Sequence, residues 1–206
     1  MSKFIALEGI EGCGKTTLAL FICEELRKQG FDVVHTREPG GTPFAEELRN
    51  VFLTNGDISS RTRFLLTNTG RSDHMEKVIL PAIKAGKIVV SERSIFSGYA
   101  YQVHGELDDD VFDDLISILG DDVIPFKTFY IQLSNHTSQE RVRIRGNKKD
   151  VIENENDEFF NRVINGFECL LPRQYGRDII LINGEKTIEE VKKQVLSELM
   201  KFVDQL

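Results

Sequence analysis

The chain is poor in several features that mark whole classes of protein. Its three cysteines, Cys13, Cys23 and Cys169, form an odd, sparse set without metal-ligand spacing, which suits a reducing compartment better than a disulfide framework. Positive charge is in deficit. The 26 lysines and arginines face 33 aspartates and glutamates, and the net charge of -7 argues against a nucleic-acid-binding or basic membrane-binding protein. A local positive pocket for a phosphate remains compatible with that balance. Long apolar runs are missing too. The stretch Phe4-Ile5-Ala6-Leu7 is too short for a signal peptide or a membrane span, so a cytoplasmic protein is expected. Neither an internal repeat nor a linker is visible.

What is present suits one domain spanning 1–206. A hydrophobic content of 40% in 206 residues is enough to bury a core without disulfides or metals. Short apolar runs alternate with segments of helical period, the α/β signature. Strands are expected at Phe4–Leu7, Asp32–Thr36, Lys87–Ser91, Thr128–Leu133 and Asp178–Ile182. Helices are expected at Thr16–Lys28, Ala45–Leu53, Arg61–Lys84 (bent by Pro81), Val111–Leu119, from Arg141 onward and at Ile188–Val203. Five strands with helical crossovers predict a doubly wound parallel sheet. The polar tract Arg145–Glu158 lies inside the fold, as either a solvated loop or a mobile lid.

Gly9-Ile10-Glu11-Gly12-Cys13-Gly14-Lys15-Thr16 matches G-x-x-x-x-G-K-[ST] between a strand and a helix, the context that motif demands. Its glycines let backbone N–H groups turn toward the β- and γ-phosphates of a nucleotide, and the helix N-terminus adds a favourable dipole, a loop common to ATPases, GTPases and small-molecule kinases. Lys15 is expected to bridge phosphate oxygens and Thr16 to ligate Mg²⁺, with Thr17 completing the ATP-binding loop. The segment Asn147-Lys148-Lys149-Asp150 spells a guanine-reading pattern, but it follows charged residues instead of a strand and is read as accidental. A second anion site is suggested by Thr36-Arg37-Glu38-Pro39-Gly40-Gly41-Thr42, where an arginine fork at a strand end stands beside turn-forming glycines. A plain turn explains the same residues.

Thr36–Thr42, together with Gly9–Thr17, resembles the thymidylate kinase family. Similarity continues through Glu92-Arg93-Ser94-Ile95-Phe96-Ser97-Gly98-Tyr99-Ala100-Tyr101-Gln102 to the arginine-rich segment and Phe159-Phe160-Asn161-Arg162. The resemblance implies a P-loop kinase fold, with helices on both faces of a five-stranded parallel sheet and a small helical lid at about 141–158. It implies a homodimer that phosphorylates dTMP from ATP with Mg²⁺. In that reading Arg37 holds the acceptor phosphate, Glu11 accepts from the deoxyribose 3′-OH, and Arg93 clamps both substrates. Glu92, where the family usually has Asp, holds Mg²⁺ through water. A buried structural salt bridge is the plainer account of Glu92 and Arg93.

Transfer between two anions needs cations spread around the migrating group. The phosphate loop carries Gly12-Cys13 and no arginine, so the resemblance moves that requirement to the lid, as in bacterial members. Arg141 and Arg145, four apart, share a helix face and form the preferred catalytic pair, with Arg143 placed on the ATP side. A further arginine usual in such lids is missing from Asp150-Val151-Ile152-Glu153, which leaves the role of Glu153 open.

The base pocket departs further. Family members stack an aromatic on thymine four positions before a base-reading arginine, here Arg71, and that position holds Thr67. Phe64, one turn earlier, is expected to lean into the pocket, or else a bulkier base fills the vacated space. A broadened preference including dUMP or a 5-modified dUMP follows, beside the ordinary alternative of a core Phe64 and a conventional dTMP enzyme. Ser97, Tyr101 and Gln102 are expected across the base. Two rivals stand: a deoxynucleoside kinase, which Arg37 argues against, and a non-catalytic nucleotide binder, which two anion sites argue against.

Overall fold

The computed structural model describes residues 3–146, 150–173 and 178–206. Five strands, β1 (Phe4–Glu8), β2 (Val33–Arg37), β3 (Ile88–Glu92), β4 (Lys127–Gln132) and β5 (Asp178–Asn183), form one sheet in the order β2-β3-β1-β4-β5. Every adjacent pair is parallel. The central strand reads Phe-Ile-Ala-Leu-Glu and is buried at all five positions, the near-continuous apolar run of a parallel strand covered on both faces. Helix α1 (Lys15–Lys28) follows β1 and buries Leu18, Ile22 and Leu26. The expected α/β architecture and each of the five expected strands are present, with ends shifted by a residue or so.

After β2, α2 (Pro43–Thr54) starts from Thr42, whose hydroxyl accepts from the Ala45 N–H, with Pro43 in the first turn. Next come α3 (Ser60–His74), a π turn (Met75–Ile79) and α4 (Leu80–Lys84), so the long helical segment is continuous but widened at one point. The Leu80 N–H donates to the Met75 carbonyl five residues back. This wide turn stands immediately before Pro81, which has no N–H to continue a regular ladder. Beyond β3, α5 (Ile95–Gly98) runs into a second π turn (Tyr99–Val103), and neither was anticipated from the sequence. α6 (Asp110–Leu119) leads to β4.

The charged segment is not one helix from Arg141 onward. α7 (Asn135–Arg145) begins at the Ser134 cap and is closed by Gly146 in the left-handed conformation. Residues 151–155 form turns, α8 (Asp157–Leu170) follows, and α9 (Ile188–Met200) closes the chain behind a Thr187–Glu190 capping box. Among the described residues the lid region therefore comprises a helix end, a turn and a helix start. Asn147, Lys148 and Lys149, most of the accidental guanine-reading match, lie outside the described residues.

Candidate active site

The carboxyl ends of β1, β2 and β3 open into a cleft of about 470 Å³, the edge at which open parallel sheets bind ligands. β1 delivers the glycine loop. At Gly12 the backbone is left-handed (φ 72°), and a Cβ would lie 3.0 Å from the Ser138 carbonyl and 3.2 Å from Arg141 Cβ, so the loop is packed closely on α7. Lys15 Nζ donates to the Gly9 and Ile10 carbonyls at 2.9 Å, which folds it over the loop. No side chain caps the start of α1, whose backbone N–H groups are the natural partners of an anion. Glu11, Gly12, Gly14, Lys15, Thr16 and Thr17 line the cleft. Gly9 and Cys13 do not, because the Cys13 side chain packs beneath the loop against Gly9.

The Thr16 hydroxyl donates to Glu92 Oε2, while Glu92 Oε1 lies 3.1 Å from His35 Nε2. These hydroxyl and carboxylate oxygens are hard donors of the kind Mg²⁺ takes. Among the described residues no cluster of three or more His, Cys, Asp or Glu is arranged to hold a metal by itself. A shared ion completed by phosphate oxygens is the arrangement that donor set fits.

Strand register puts Arg37, the last residue of β2, directly beside Glu92. Arg37 is half-exposed, lines the cleft and donates to Glu46 at 2.9 Å, while the other oxygen of Glu46 accepts from the Gly41 N–H at 3.1 Å. Arg49, which the sequence reading missed, also lines the cleft and is anchored on the Pro39 carbonyl at 2.8 Å. Burial first, and then the neighbouring cations Arg37 and Arg93, lower its pKa. The spacing Ala45, Arg49, Phe52 is the missed signal, because i, i+4 and i+7 share a helix face.

Behind this loop, buried Glu38 accepts from Arg71 Nε at 2.7 Å and faces His74 Nδ1 at 3.4 Å; His74 Nε2 in turn lies 2.6 Å from the Thr36 hydroxyl. Arg71 also donates to Asn68 and, at 3.0 Å, to the Ser94 carbonyl. Gly41 is left-handed (φ 90°), and a Cβ there would sit 2.4 Å from His74 Nε2. Gly41→Ala is therefore expected to destabilise the fold by about 2 kcal/mol or more, read as a lowered denaturant midpoint at constant slope.

Arg93 adopts a left-handed backbone (φ 72°), uncommon for a residue with a Cβ. Its guanidinium donates to Glu11 at 2.6 Å, Ser97 at 3.1 Å, Tyr101 at 3.2 Å and the Gly9 carbonyl at 3.3 Å, and lies 4.8 Å from the centre of the Tyr101 ring. The Tyr101 hydroxyl also donates to Glu11 at 2.8 Å. Burial raises the pKa of Glu11, but Arg93, Lys15 and the Tyr101 hydroxyl outweigh it and hold the carboxyl below its usual range. Beneath Arg93, buried Glu8 accepts from the N–H and hydroxyl groups of Ser94 and Ser97, fixing the turn that presents the arginine.

On the lid side Arg141 and Arg145 line the cleft together, as their shared face predicts. Arg141 is tethered to the Gly184 carbonyl at 2.9 Å, and Arg145 pairs with Glu153. Arg143 does not line the cleft. Two residues along a helix is a rotation of about 200°, so its exposed side chain leaves from the far side. Asp150, Ile152 and Glu153 close the rim, and burial, with Glu153 and Glu11 nearby, raises the pKa of Asp150.

At the far end stand Phe52, Leu53, Thr67, Arg71, Ser97, Gly98, Tyr101 and Gln102. The Phe64 expectation fails: that ring lines a separate groove with Arg61, Leu65 and Glu106, one turn away from the cleft. Thr67 borders open space only on its cleft side, since the crevice among Pro39, Leu48, Arg49, Phe52, Thr67 and Gly70 has no room for a water molecule. Gln102 is buried, and its Oε1 has no hydrogen-bond partner among the described residues.

A phosphate loop, a second arginine-bearing loop two strands over and further arginines lining the same cleft define a P-loop nucleotide kinase. The family model described as thymidylate kinase matches residues 7–195. A thymidylate kinase of Psychrobacter sp. is 38% identical over 200 residues, 95% of each chain, and one of Thermoanaerobacter sp. is 35% identical over 206 residues, 98% of each. A crystal structure of thymidylate kinase from Ehrlichia chaffeensis, 30% identical, superposes with a TM-score of 0.78 over 96% of this chain and 98% of that one. This chain belongs to the thymidylate kinase family.

Proposed function

We propose that the chain transfers the terminal phosphoryl group of ATP to the 5′-phosphate of dTMP. The observation that carries this reading is the register of Arg37 beside Glu92, which brings a second arginine-bearing loop to the sheet edge that holds the phosphate loop and so supports two anion sites there. A nucleoside acceptor has no phosphate for Arg37, and a simple ATP binder has no use for a second site. Lys15 and the N–H groups of the loop hold the ATP phosphates, and Arg37 with Arg49 holds the acceptor phosphate. Arg93 stands between the two, while Arg141 and Arg145 supply charge from the lid. Glu11 accepts from the sugar 3′-OH, and Arg71 and Gln102 face the base edge; the unpartnered Oε1 of Gln102 suits the N3–H of thymine. Thr16 and Glu92 are the residues that would hold Mg²⁺, which when bound neutralises charge on the phosphates.

The single domain acts as a homodimer in the cytoplasm. Exposed Phe44 and Val51, seven apart on α2, and Leu65 on α3 offer an apolar face for a second copy. Among the described residues no helix is long and apolar enough to cross a membrane.

The test is ADP release with ATP and Mg²⁺ fixed, across dTMP, dUMP, 5-hydroxymethyl-dUMP, dCMP, dGMP and thymidine. dTMP is expected to be fastest. Equal turnover of dUMP or its modified relative would support the broader preference that Thr67 suggests, and strict selectivity for dTMP would end it. Turnover of thymidine alone would overturn the proposal.

A further inference from the structure

Among the described residues, the aromatics that line the cleft are Phe52 and Tyr101. Tyr101 is committed, with its hydroxyl on Glu11 and its ring under Arg93. Phe52 is not so tied. Its ring is almost wholly buried beside Thr67, and Arg63 places its guanidinium carbon over it, 5.6 Å from the centroid. Arg63 does not line the cleft, so it backs the ring from outside the ligand space. It is fixed there by the Ile58 and Gly56 carbonyls, each at 3.2 Å. Thr67 turns its hydroxyl back onto the Arg63 carbonyl at 2.8 Å, which leaves it no free donor for a base. The crevice joining Phe52 and Thr67 is closed to water, so a larger side chain at 67 has room only in the cleft, the space a base would fill.

Resting on the dTMP reading, we propose that Phe52 is the substrate-binding residue on which the pyrimidine stacks, the aromatic ring having moved from α3 to the facing position on α2. A ring backed by a cation and held by packing is preorganised, so stacking costs little ordering. Any pyrimidine has a π face, so the stack contributes affinity while Arg71 and Gln102 read the edge.

The test compares Phe52→Leu, Thr67→Phe and the double variant by calorimetric titration with dTMP and with 2-deoxyribose 5-phosphate, which has no base. Phe52→Leu is expected to weaken dTMP binding about tenfold while leaving 2-deoxyribose 5-phosphate and ATP binding unchanged. Thr67→Phe alone crowds the cleft beside the Phe52 ring and is expected to weaken dTMP binding as well, whereas the double variant regains most of the affinity. Phe52→Tyr, which keeps a ring, should bind dTMP within about twofold of the original chain and guards against a fold made unstable by leucine. A folded Phe52→Leu that binds dTMP normally overturns the proposal, as does equal weakening of the baseless ligand. Failure of the unaltered chain to bind dTMP would instead strike the proposed function.

Discussion

Replacing Arg93 with alanine is expected to lower kcat by about a thousandfold or more, the scale on which an arginine at a transferring phosphoryl group acts. Burial disfavours its charge, but the Tyr101 hydroxyl and the carboxylates of Glu11 and Glu8 more than offset that and raise its pKa. The guanidinium is therefore a permanent cation, aimed by four hydrogen bonds within the protein. Its left-handed backbone is strain on the order of 1–3 kcal/mol, maintained by the Glu8 turn beneath it. Arg93→Gly relieves that strain and removes the same cation, so it should be as inactive as Arg93→Ala. Recovery of activity in Arg93→Gly would show that backbone geometry and not charge carries the effect. Single-turnover assays with saturating dTMP are the measurement, because they separate chemistry from binding.

The second large effect concerns stability. Glu38→Ala strands Arg71, whose side chain is 1% exposed, and is expected to cost about 3–5 kcal/mol, the usual penalty for breaking a buried pair. In a chain of this size that lowers Tm by about 10 °C. Burial raises the pKa of Glu38, but Arg71 and His74 prevail, so the folded value lies below the unfolded one. Its stabilisation is thus complete above the ordinary carboxylate range and is lost as pH falls through the lowered folded value. Urea titrations of the original chain and Glu38→Gln should show a stability gap at pH 7 that closes on acidification below about pH 4. A gap that stays constant to pH 3 would mean that shape, not charge, holds the cluster.

These two residues also mark what could be read from the sequence. Arg93 was visible because Glu92-Arg93 ends an apolar run at the edge where parallel sheets bind ligands. The strands were visible for the same reason, since a strand covered on both faces is apolar almost throughout, as β1 is. Glu38 was quoted only as part of a turn. Its role depends on α3 docking so that Arg71 and His74 converge on it from 33 and 36 positions away. Phe52 and Arg49 were missed because helical period tells which residues share a face, not which neighbour that face meets. Phe64 failed on the same ground: it shares a helix with Thr67 and Arg71, yet one turn was enough to carry it into another groove.

The π turn before Pro81 has a geometric consequence for the acceptor end of the cleft. Each residue of a regular helix advances the side chain by about 100°, so one extra residue in a single turn re-phases everything after it. Upstream of the turn the helix directs Arg71 and His74 toward Glu38; downstream it seats Ala82 in the core and leaves Leu80 partly exposed. The turn acts as a rotational coupling between two faces with different duties. Shortening the chain by one residue within 75–79 would turn α4 by about a quarter circle, and either the core contact or the buried arginine would lose its alignment.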